Sequence, residues 1–175
     1  MSSEMARKTR QVESRMISEY LLENYSKVPY TINVPLGALP EEMLKLNGYK
    51  RTMGELRPFR PAVDAVLILP RHLVLVEAKV WNVVNGLAKL PAYKALVPAT
   101  PELKQYMPRE VLMQLVVAWT NQNLAIMARD LDVKVVEFCP EWLREVVDGM
   151  HNYWTREYRD QREKKLQMRE YFGVE

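Results

Sequence analysis

Residues 62–80 read Ala-Val-Asp-Ala-Val-Leu-Ile-Leu-Pro-Arg-His-Leu-Val-Leu-Val-Glu-Ala-Lys-Val, with two apolar runs on either side of Pro70-Arg71-His72. Each run has the length and the β-branched content of a buried strand, so the stretch predicts a β-hairpin. Asp64 lies near the start of the first strand, and Glu77 and Lys79 lie at the end of the second. Because side chains alternate between the faces of a strand, Glu77 and Lys79 share one face.

The hairpin loop sets the pairing of these charged residues. A Pro70-Arg71 loop places Asp64 opposite Glu77, whereas an Arg71-His72 loop places it opposite Lys79 and diagonal to Glu77. Both registers put the three side chains on one face, within about 5–8 Å of one another. Two nearby carboxylates repel and need a cation. Mg²⁺ supplies one, since it typically takes one or two protein carboxylates together with a substrate phosphate.

Asp64, twelve intervening residues and then Glu77-Ala78-Lys79 resemble the motif of the PD-(D/E)xK nuclease superfamily. Family signatures usually place proline directly before the Asp, and here Pro61 stands three residues earlier. The resemblance implies that Asp64, Glu77 and the Ala78 carbonyl bind Mg²⁺ or Mn²⁺. It implies that Lys79 positions the attacking water or stabilises developing charge, which is the chemistry of phosphodiester hydrolysis.

The same acid-x-Lys pattern occurs at 102–104, 132–134 and 163–165, so the tripeptide alone has little specificity. Only the copy at 77–79 ends an apolar strand whose hairpin partner also carries an acidic residue. The alternative is a solvated strand end that carries ordinary surface charges.

Residues 4–25 predict an amphipathic helix, because Val12, Met16, Tyr20 and other apolar residues recur at helical spacing. Glu13 lies at the edge of this apolar stripe. The local sequence resembles the first helix of Holliday-junction resolvases, which offers a glutamate to the metal site. The resemblance implies that Glu13 holds a water or a second metal; the alternative is a surface glutamate paired with an arginine.

Two basic groups are candidates for binding nucleic acid. A turn-rich segment at 37–61 leads into Asp64, and its basic residues could contact a phosphate backbone. The helix predicted at 83–97 resembles the RecB-like helix with Gln-x-x-x-Tyr, although a lysine replaces the glutamine here. The alternatives are a solvated loop and an ordinary surface helix with a half-buried tyrosine. The predicted nucleic-acid contacts are Lys50, Arg51, Arg57, Arg60, Lys89, Tyr93 and Lys94.

The remaining pattern completes an α/β fold, a restriction-endonuclease-like αβββαβ core in which helices flank a mixed sheet. Pro91 is able to start the main body of the helix at 83–97. In the helix at 121–131, the residues expected to face inward are Leu124, Ile126, Met127 and Leu131. The other predicted elements are strands at 28–36, 111–119 and 133–138, a helical turn at 40–46, a loop at 98–110 and, at 141–172, one long C-terminal helix or two helices joined near Gly149. Residues 1–140 would form the nuclease-like core, and residues 141–175 a helical extension packed on it.

Composition excludes several classes of protein. The 175 residues carry a net charge of +3, and the lone Cys139 excludes an internal disulfide and a cysteine zinc cluster. The sequence has no phosphate-binding Gly-Lys-Ser/Thr loop, no apolar stretch of 18 residues and no signal-peptide core. We therefore expect a cytoplasmic protein (host cytoplasm if the gene is viral) with no membrane partner.

The functional hypothesis is a metal-dependent deoxyribonuclease that forms a homodimer or a higher homo-oligomer, with the C-terminal helix as a surface for dimerisation or nucleic acid. The alternative is a non-catalytic nucleic-acid-binding or structural assembly protein that retains a nuclease-like fold, because one fold hosts many functions.

Overall fold

The computed structural model describes residues 3–39 and 60–150, together with residues 163, 164, 167, 168 and 171. The chain divides into two compact units, Met1–Phe138 and Cys139–Glu175. The packing of the C-terminal extension on the core stays a prediction.

The first unit begins with helix α1, Ser3–Tyr25, followed by strand β1, Tyr30–Pro35. The apolar stripe of α1 is buried, as its helical spacing predicts. Strand β1 lies at one edge of the sheet that the described residues form. Prolines at 29 and 35 suit that position, because an edge strand can lose a backbone donor without breaking a ladder on both sides.

The predicted hairpin is present as strands β2, Ala62–Ile68, and β3, His72–Lys79. The Leu69 N–H donates to the His72 carbonyl at 2.9 Å, and Ala65 pairs with Val76. The loop is therefore Pro70-Arg71, the first of the two registers that the sequence allowed. By continuation of this register, Asp64 lies opposite Glu77.

The rest of the unit supplies the parallel half of the sheet. Helix α2, Val83–Leu96, leads through two 3-10 helices, Val97–Ala99 and Pro101–Tyr106, to strand β4, Glu110–Val117. Helix α3, Gln122–Asp130, then leads to strand β5, Val133–Glu137. In the described part of the chain, five strands form one sheet in the order β1-β2-β3-β4-β5.

Strand pairing is antiparallel among β1, β2 and β3 and parallel among β3, β4 and β5. This confirms the mixed sheet, the αβββαβ order and the α/β class. Helices α1 and α2 cover opposite faces of the sheet. Gln114 of β4 donates to the Tyr20 hydroxyl of α1 at 2.6 Å, while its neighbours Met113 and Leu115 belong to the core cluster that includes Leu87 and other α2 residues.

Three local predictions were wrong. Pro91 lies inside α2 rather than at its start. Residues 98–110 are largely 3-10 helix rather than loop, because Pro98 and Pro101 occupy first-turn positions, where a missing N–H costs little. On α3, Ile126 and Leu131 are 44% and 39% exposed, since the helix turns mainly Leu124 and Ala128 toward the core.

The second unit contains helix α4, Glu141–Met150, and whether the chain continues as one helix beyond Gly149 stays a prediction. Residues 163, 164, 167, 168 and 171 are also helical. The rest of the predicted C-terminal helix, the helical turn at 40–46 and most of the turn-rich segment lie outside the described residues. So do three predicted nucleic-acid contacts, Lys50, Arg51 and Arg57.

Candidate active site

The antiparallel ladder between β2 and β3 ends where the charged residues begin. Ala65↔Val76 is the last pair of that ladder toward the carboxyl end of β3. Two residues beyond Val76, the Ala78 N–H donates to Asp64 Oδ2 at 2.9 Å. The Asp64 carboxylate therefore occupies the opening between the strands and is fixed to the backbone of β3.

The pairing between β1 and β2 is also interrupted at Asp64. The β1–β2 pairs run Ile32↔Ala65 and then Val34↔Val63, so Asn33 and Asp64 face each other between them. Asn33 has a φ of 53°, a left-handed conformation that asparagine tolerates better than most residues. The sheet is thus locally irregular at the residue predicted to hold the metal.

Glu77 is placed by β3 on the same face as Asp64, and the residue is only 3% exposed. Its Oε1 lies 3.3 Å from the Lys79 ammonium. Its Oε2 is buried and has no hydrogen-bond partner among the described residues. A buried carboxylate oxygen without a partner is costly, and such atoms in native structures often mark a place for a ligand or ion.

Lys79 joins α1 to this cluster. Its ammonium lies 3.0 Å from Glu13 Oε2, and its side chain is 15% exposed. Glu13 Oε1 accepts the Val80 N–H at 3.2 Å. Both oxygens of Glu13 are therefore engaged, one by Lys79 of β3 and the other by the residue that follows β3.

The charged groups of this cluster shift one another's pKa values. Burial raises the pKa of Glu77 to about 7, and the charge of Asp64 adds to this, while Lys79 and Lys89 oppose it. Burial lowers the pKa of Lys79, but the charges of Glu77, Asp64 and Glu13 together outweigh burial, so its pKa lies above the ordinary value. Lys79 is consequently a cation at neutral pH and cannot serve as a general base there.

The cluster lies in a cavity of about 660 Å³. The cavity brings together all four predicted catalytic side chains, Glu13, Asp64, Glu77 and Lys79. Lys89 and Tyr93 of α2 also line it. The sequence analysis did not single out four further lining residues, which are Thr9, Arg10, Ser14 and Asn33. Thr9 and Arg10 precede Glu13 by four and three residues on α1, so helical periodicity around Glu13 would have found these two.

Tyr93 lies beside the carboxylates. Burial raises the pKa of its hydroxyl to about 12, and the charges of Glu77 and Asp64 add to the shift. Tyr93 therefore stays neutral and is able to donate a hydrogen bond into the cavity. Its position on the cavity wall agrees with the location predicted for it, although the contact with nucleic acid stays a prediction.

Arg60, which was predicted to contact nucleic acid, lines the same cavity and is also engaged within the protein. Its side chain is 2% exposed and forms a two-point ion pair with Glu102, at 3.0 Å from Nη1 to Oε1 and 2.8 Å from Nη2 to Oε2. It also donates to the carbonyls of Pro35 and Leu36. The guanidinium is therefore held in place by the protein, and its contact with nucleic acid stays a prediction.

Lys94 lies away from the cavity, and its predicted contact with nucleic acid stays a prediction. Its ammonium lies 4.0 Å from Asp132, in the connection between α3 and β5, and it is not among the residues that line the cavity. The helical spacing explains this, since Lys94 follows Tyr93 by about 100° around α2. Of the residues predicted on this helix, Lys89 and Tyr93 reach the cavity.

The donor set fits a hard divalent cation. Within the described residues, no three or more His, Cys, Asp and Glu side chains are grouped to hold a metal. The predicted ligands are two carboxylates, Asp64 and Glu77, and the Ala78 carbonyl, a set that Mg²⁺ completes with water and substrate phosphate. The unpartnered Glu77 Oε2 and the raised Glu77 pKa are the two observations that favour a cation there.

The raised pKa of Glu77 predicts a pH dependence of stability without metal. The folded protein binds this proton more tightly than the unfolded chain, whose glutamate has a pKa of 4.5. Stability from this group is therefore present below about pH 4.5 and is lost as the pH rises toward 7, by roughly 1–3 kcal/mol. We expect Glu77→Gln to stabilise the protein at pH 8 and to have a much smaller effect at pH 4.5, in urea unfolding with EDTA.

The exposed Glu145 provides a matched control for that experiment. Glu145→Gln should leave the difference in the free energy of unfolding between pH 4.5 and pH 8 as it is in the wild type. An equal effect of Glu77→Gln at both pH values would contradict the assignment of the buried charge.

Comparisons with known proteins add little to this geometry. Neither a protein-family model nor a curated protein matches the chain. Among solved structures, the chain is similar to one described as "Structure of EndoMS-dsDNA2 complex", with a TM-score of 0.42 and 12% identity. The match covers 74% of this chain and 45% of that chain, so this chain spans less than half of the other protein.

The helices that the structure describes include none that is long and apolar enough to cross a membrane.

Proposed function

We propose that the protein is a divalent-metal-dependent nuclease that hydrolyses phosphodiester bonds in DNA. The observation that carries the proposal is the convergence of Asp64, Glu77 and Lys79 at the opened end of the β2–β3 ladder, inside one polar cavity. Choice of DNA as the substrate comes from the resemblance of the Asp64…Glu77-Ala78-Lys79 motif to a nuclease superfamily. RNA therefore belongs among the substrates that are tested.

In this proposal Asp64, Glu77 and the Ala78 carbonyl hold Mg²⁺ or Mn²⁺. A bound ion would polarise the scissile phosphate and lower the pKa of an attacking water. Asp64 is preset for this task, because its hydrogen bond to the Ala78 N–H orients the carboxylate before any ligand arrives. Burial preorganises Glu77, because it limits the rotation of the side chain and keeps water from competing for Oε2.

Lys79 acts as a fixed positive charge. Its raised pKa keeps the ammonium protonated, and its contacts with Glu13 and Glu77 hold it on the cavity wall. A preoriented cation stabilises the negative charge that develops on the phosphate during hydrolysis. Glu13 is a positioning residue here, because its oxygens are used by Lys79 and the Val80 N–H.

Lys89 and Tyr93 complete the substrate side of the site. Both line the cavity from α2, and the neutral Tyr93 hydroxyl is able to donate a hydrogen bond. We propose that they contact the phosphates that flank the scissile bond. Arg10 lines the cavity from α1 and is suited to the same role.

The test is cleavage by the purified full chain. Supercoiled plasmid, linear duplex, single-stranded DNA, a four-way junction and single-stranded RNA would be incubated with Mg²⁺, with Mn²⁺ and with EDTA. We expect cleavage of at least one DNA form that requires metal and is lost in Asp64→Asn. The asparagine keeps an oxygen that is able to accept from the Ala78 N–H, so the fold should survive.

The matched control is Asp148→Asn on α4, where the aspartate is exposed, and it should cleave as the wild type does. Cleavage that persists in EDTA, or in Asp64→Asn, would refute the proposed site.

One observation favours the alternative of a non-catalytic protein. Lys79 lies within 3.3 Å of oxygens from both Glu13 and Glu77, so it partly neutralises the cluster without any metal. A folded chain that binds nucleic acid but cleaves none of these substrates would support this alternative. Homo-oligomer formation stays a prediction under either function.

A further inference from the structure

Gly86 lies on the buried side of α2, directly against the side chain of Lys79. A Cβ atom added at Gly86 would be 2.5 Å from Lys79 Cγ and 3.4 Å from Lys79 Cδ. It would also be 3.1 Å from Leu115 Cδ1. Carbon atoms in contact prefer about 3.5–4.0 Å, so the stem of Lys79 occupies space that any other residue at position 86 would fill.

The backbone does not demand glycine at this position. Gly86 lies within the α-helix Val83–Leu96, a conformation that every ordinary residue adopts. Glycine in a helix interior is in fact about 1 kcal/mol less favourable than alanine. What the absent side chain provides is therefore room for its neighbour.

The structure assigns to Gly86 the role of a positioning residue for Lys79. The missing Cβ admits the aliphatic stem between α2 and β3, while Glu13 and Glu77 fix the ammonium at 3.0 and 3.3 Å. The stem and the head of Lys79 are thus constrained by different elements. The catalytic consequence of this inference rests on the proposed function, but the packing between Gly86 and Lys79 does not.

The direction of the displacement follows from the contacts. Lys79 Cγ is only the second carbon of the side chain, so the lysine would have to change an inner torsion to clear a methyl group. Rotation near the base of a long side chain moves its end the farthest. The ammonium would then leave the position between Glu13 and Glu77.

A double-mutant cycle in stability tests the packing without reference to activity. In the wild-type background, Gly86→Ala should leave the melting temperature unchanged or lower it, because the gain in helix propensity is offset by the clash with Lys79. In the Lys79→Ala background only the 3.1 Å contact with Leu115 Cδ1 remains, so the effect of the same change on the melting temperature should be roughly 2–4 °C more favourable than in the wild type. Equal effects in both backgrounds would overturn the inference.

The position of the ammonium gives a second readout. Limited acylation of lysines, followed by peptide mapping, should label Lys79 slowly in the wild type because it is only 15% exposed and engaged by two carboxylates. Gly86→Ala should increase this labelling at least threefold relative to Lys94, which is 40% exposed and serves as the internal reference. Unchanged labelling of Lys79 would show that the lysine does not move.

Cleavage links the packing to function. We expect Gly86→Ala to reduce metal-dependent cleavage at least tenfold while Mn²⁺ affinity changes less than threefold, because the proposed ligands stay in place. Asn85→Ala is the matched control: the residue is the exposed neighbour of Gly86 on the same helix, and its change should not affect cleavage.

The two proposals fail in different ways. A coupled stability cycle in a protein that cleaves nothing would retain the role of Gly86 in placing Lys79 and refute the nuclease. A metal-dependent nuclease with an additive cycle and full activity in Gly86→Ala would retain the nuclease and refute the role of Gly86.

Discussion

Replacement of Glu77 by glutamine is expected to reduce metal-dependent cleavage by about 10³-fold or more, with the chain still folded. Glutamine keeps the volume of the side chain but removes the negative charge at Oε2, the buried oxygen that has no hydrogen-bond partner among the described residues. Single-turnover cleavage with Mn²⁺ measures the loss. Titration with Mn²⁺ should show weaker binding in the same variant.

The exposed Glu145→Gln is the control for this charge change and should retain wild-type cleavage. Cleavage by Glu77→Gln within tenfold of the wild type would remove Glu77 from the site. The expected loss of activity accompanies the gain in metal-free stability above pH 7 that the raised Glu77 pKa predicts. A substitution that stabilises the fold and abolishes function is typical of a residue kept for its chemistry.

Arg60→Met is expected to destabilise the protein by roughly 3–5 kcal/mol, the largest effect on stability that we foresee. Methionine keeps much of the volume, but Glu102 and the carbonyls of Pro35 and Leu36 lose a charged donor. The side chain of Arg60 is 2% exposed, so water cannot easily replace it. Urea unfolding at neutral pH measures the change.

Arg129→Met provides the contrast, since Arg129 pairs with Asp130 on the surface, where both side chains are more than half exposed. Exposed pairs contribute about 0–1 kcal/mol, so this variant should unfold nearly as the wild type does. A loss below about 1 kcal/mol in Arg60→Met would mean that the ion pair with Glu102 does not hold the start of β2 to the 3-10 helices.

The hairpin and its charged face were predictable from local pattern. Two apolar runs around a short turn define the strands, and alternation puts Glu77 and Lys79 on one face. The choice between the two registers was not predictable, because neither Pro-Arg nor Arg-His carries the glycine or asparagine signal of a two-residue turn. The Leu69–His72 hydrogen bond decides it.

Other features depend on contacts between distant parts of the chain. Arg60 and Glu102 are 42 positions apart, and nothing local distinguishes Arg60 from a solvated arginine in a basic segment. The role of Gly86 was not predictable either, since a glycine within a helix gives no local sign that Lys79 packs against it. The 3-10 helices at 97–106 were not predictable, because prolines are typical both of loops and of first helical turns.

The anchoring of the β1–β2 connection has a consequence for how the protein can vary. The Leu36 N–H donates to the Pro61 carbonyl at 2.7 Å, and the neighbouring Arg60 forms an ion pair with Glu102. Because both ends of the connection are fixed beside each other, a change in its length need not move the strands that it joins. Insertions and deletions between these ends can therefore accumulate without moving Asp64, so the length of the connection is free to evolve separately from the candidate site.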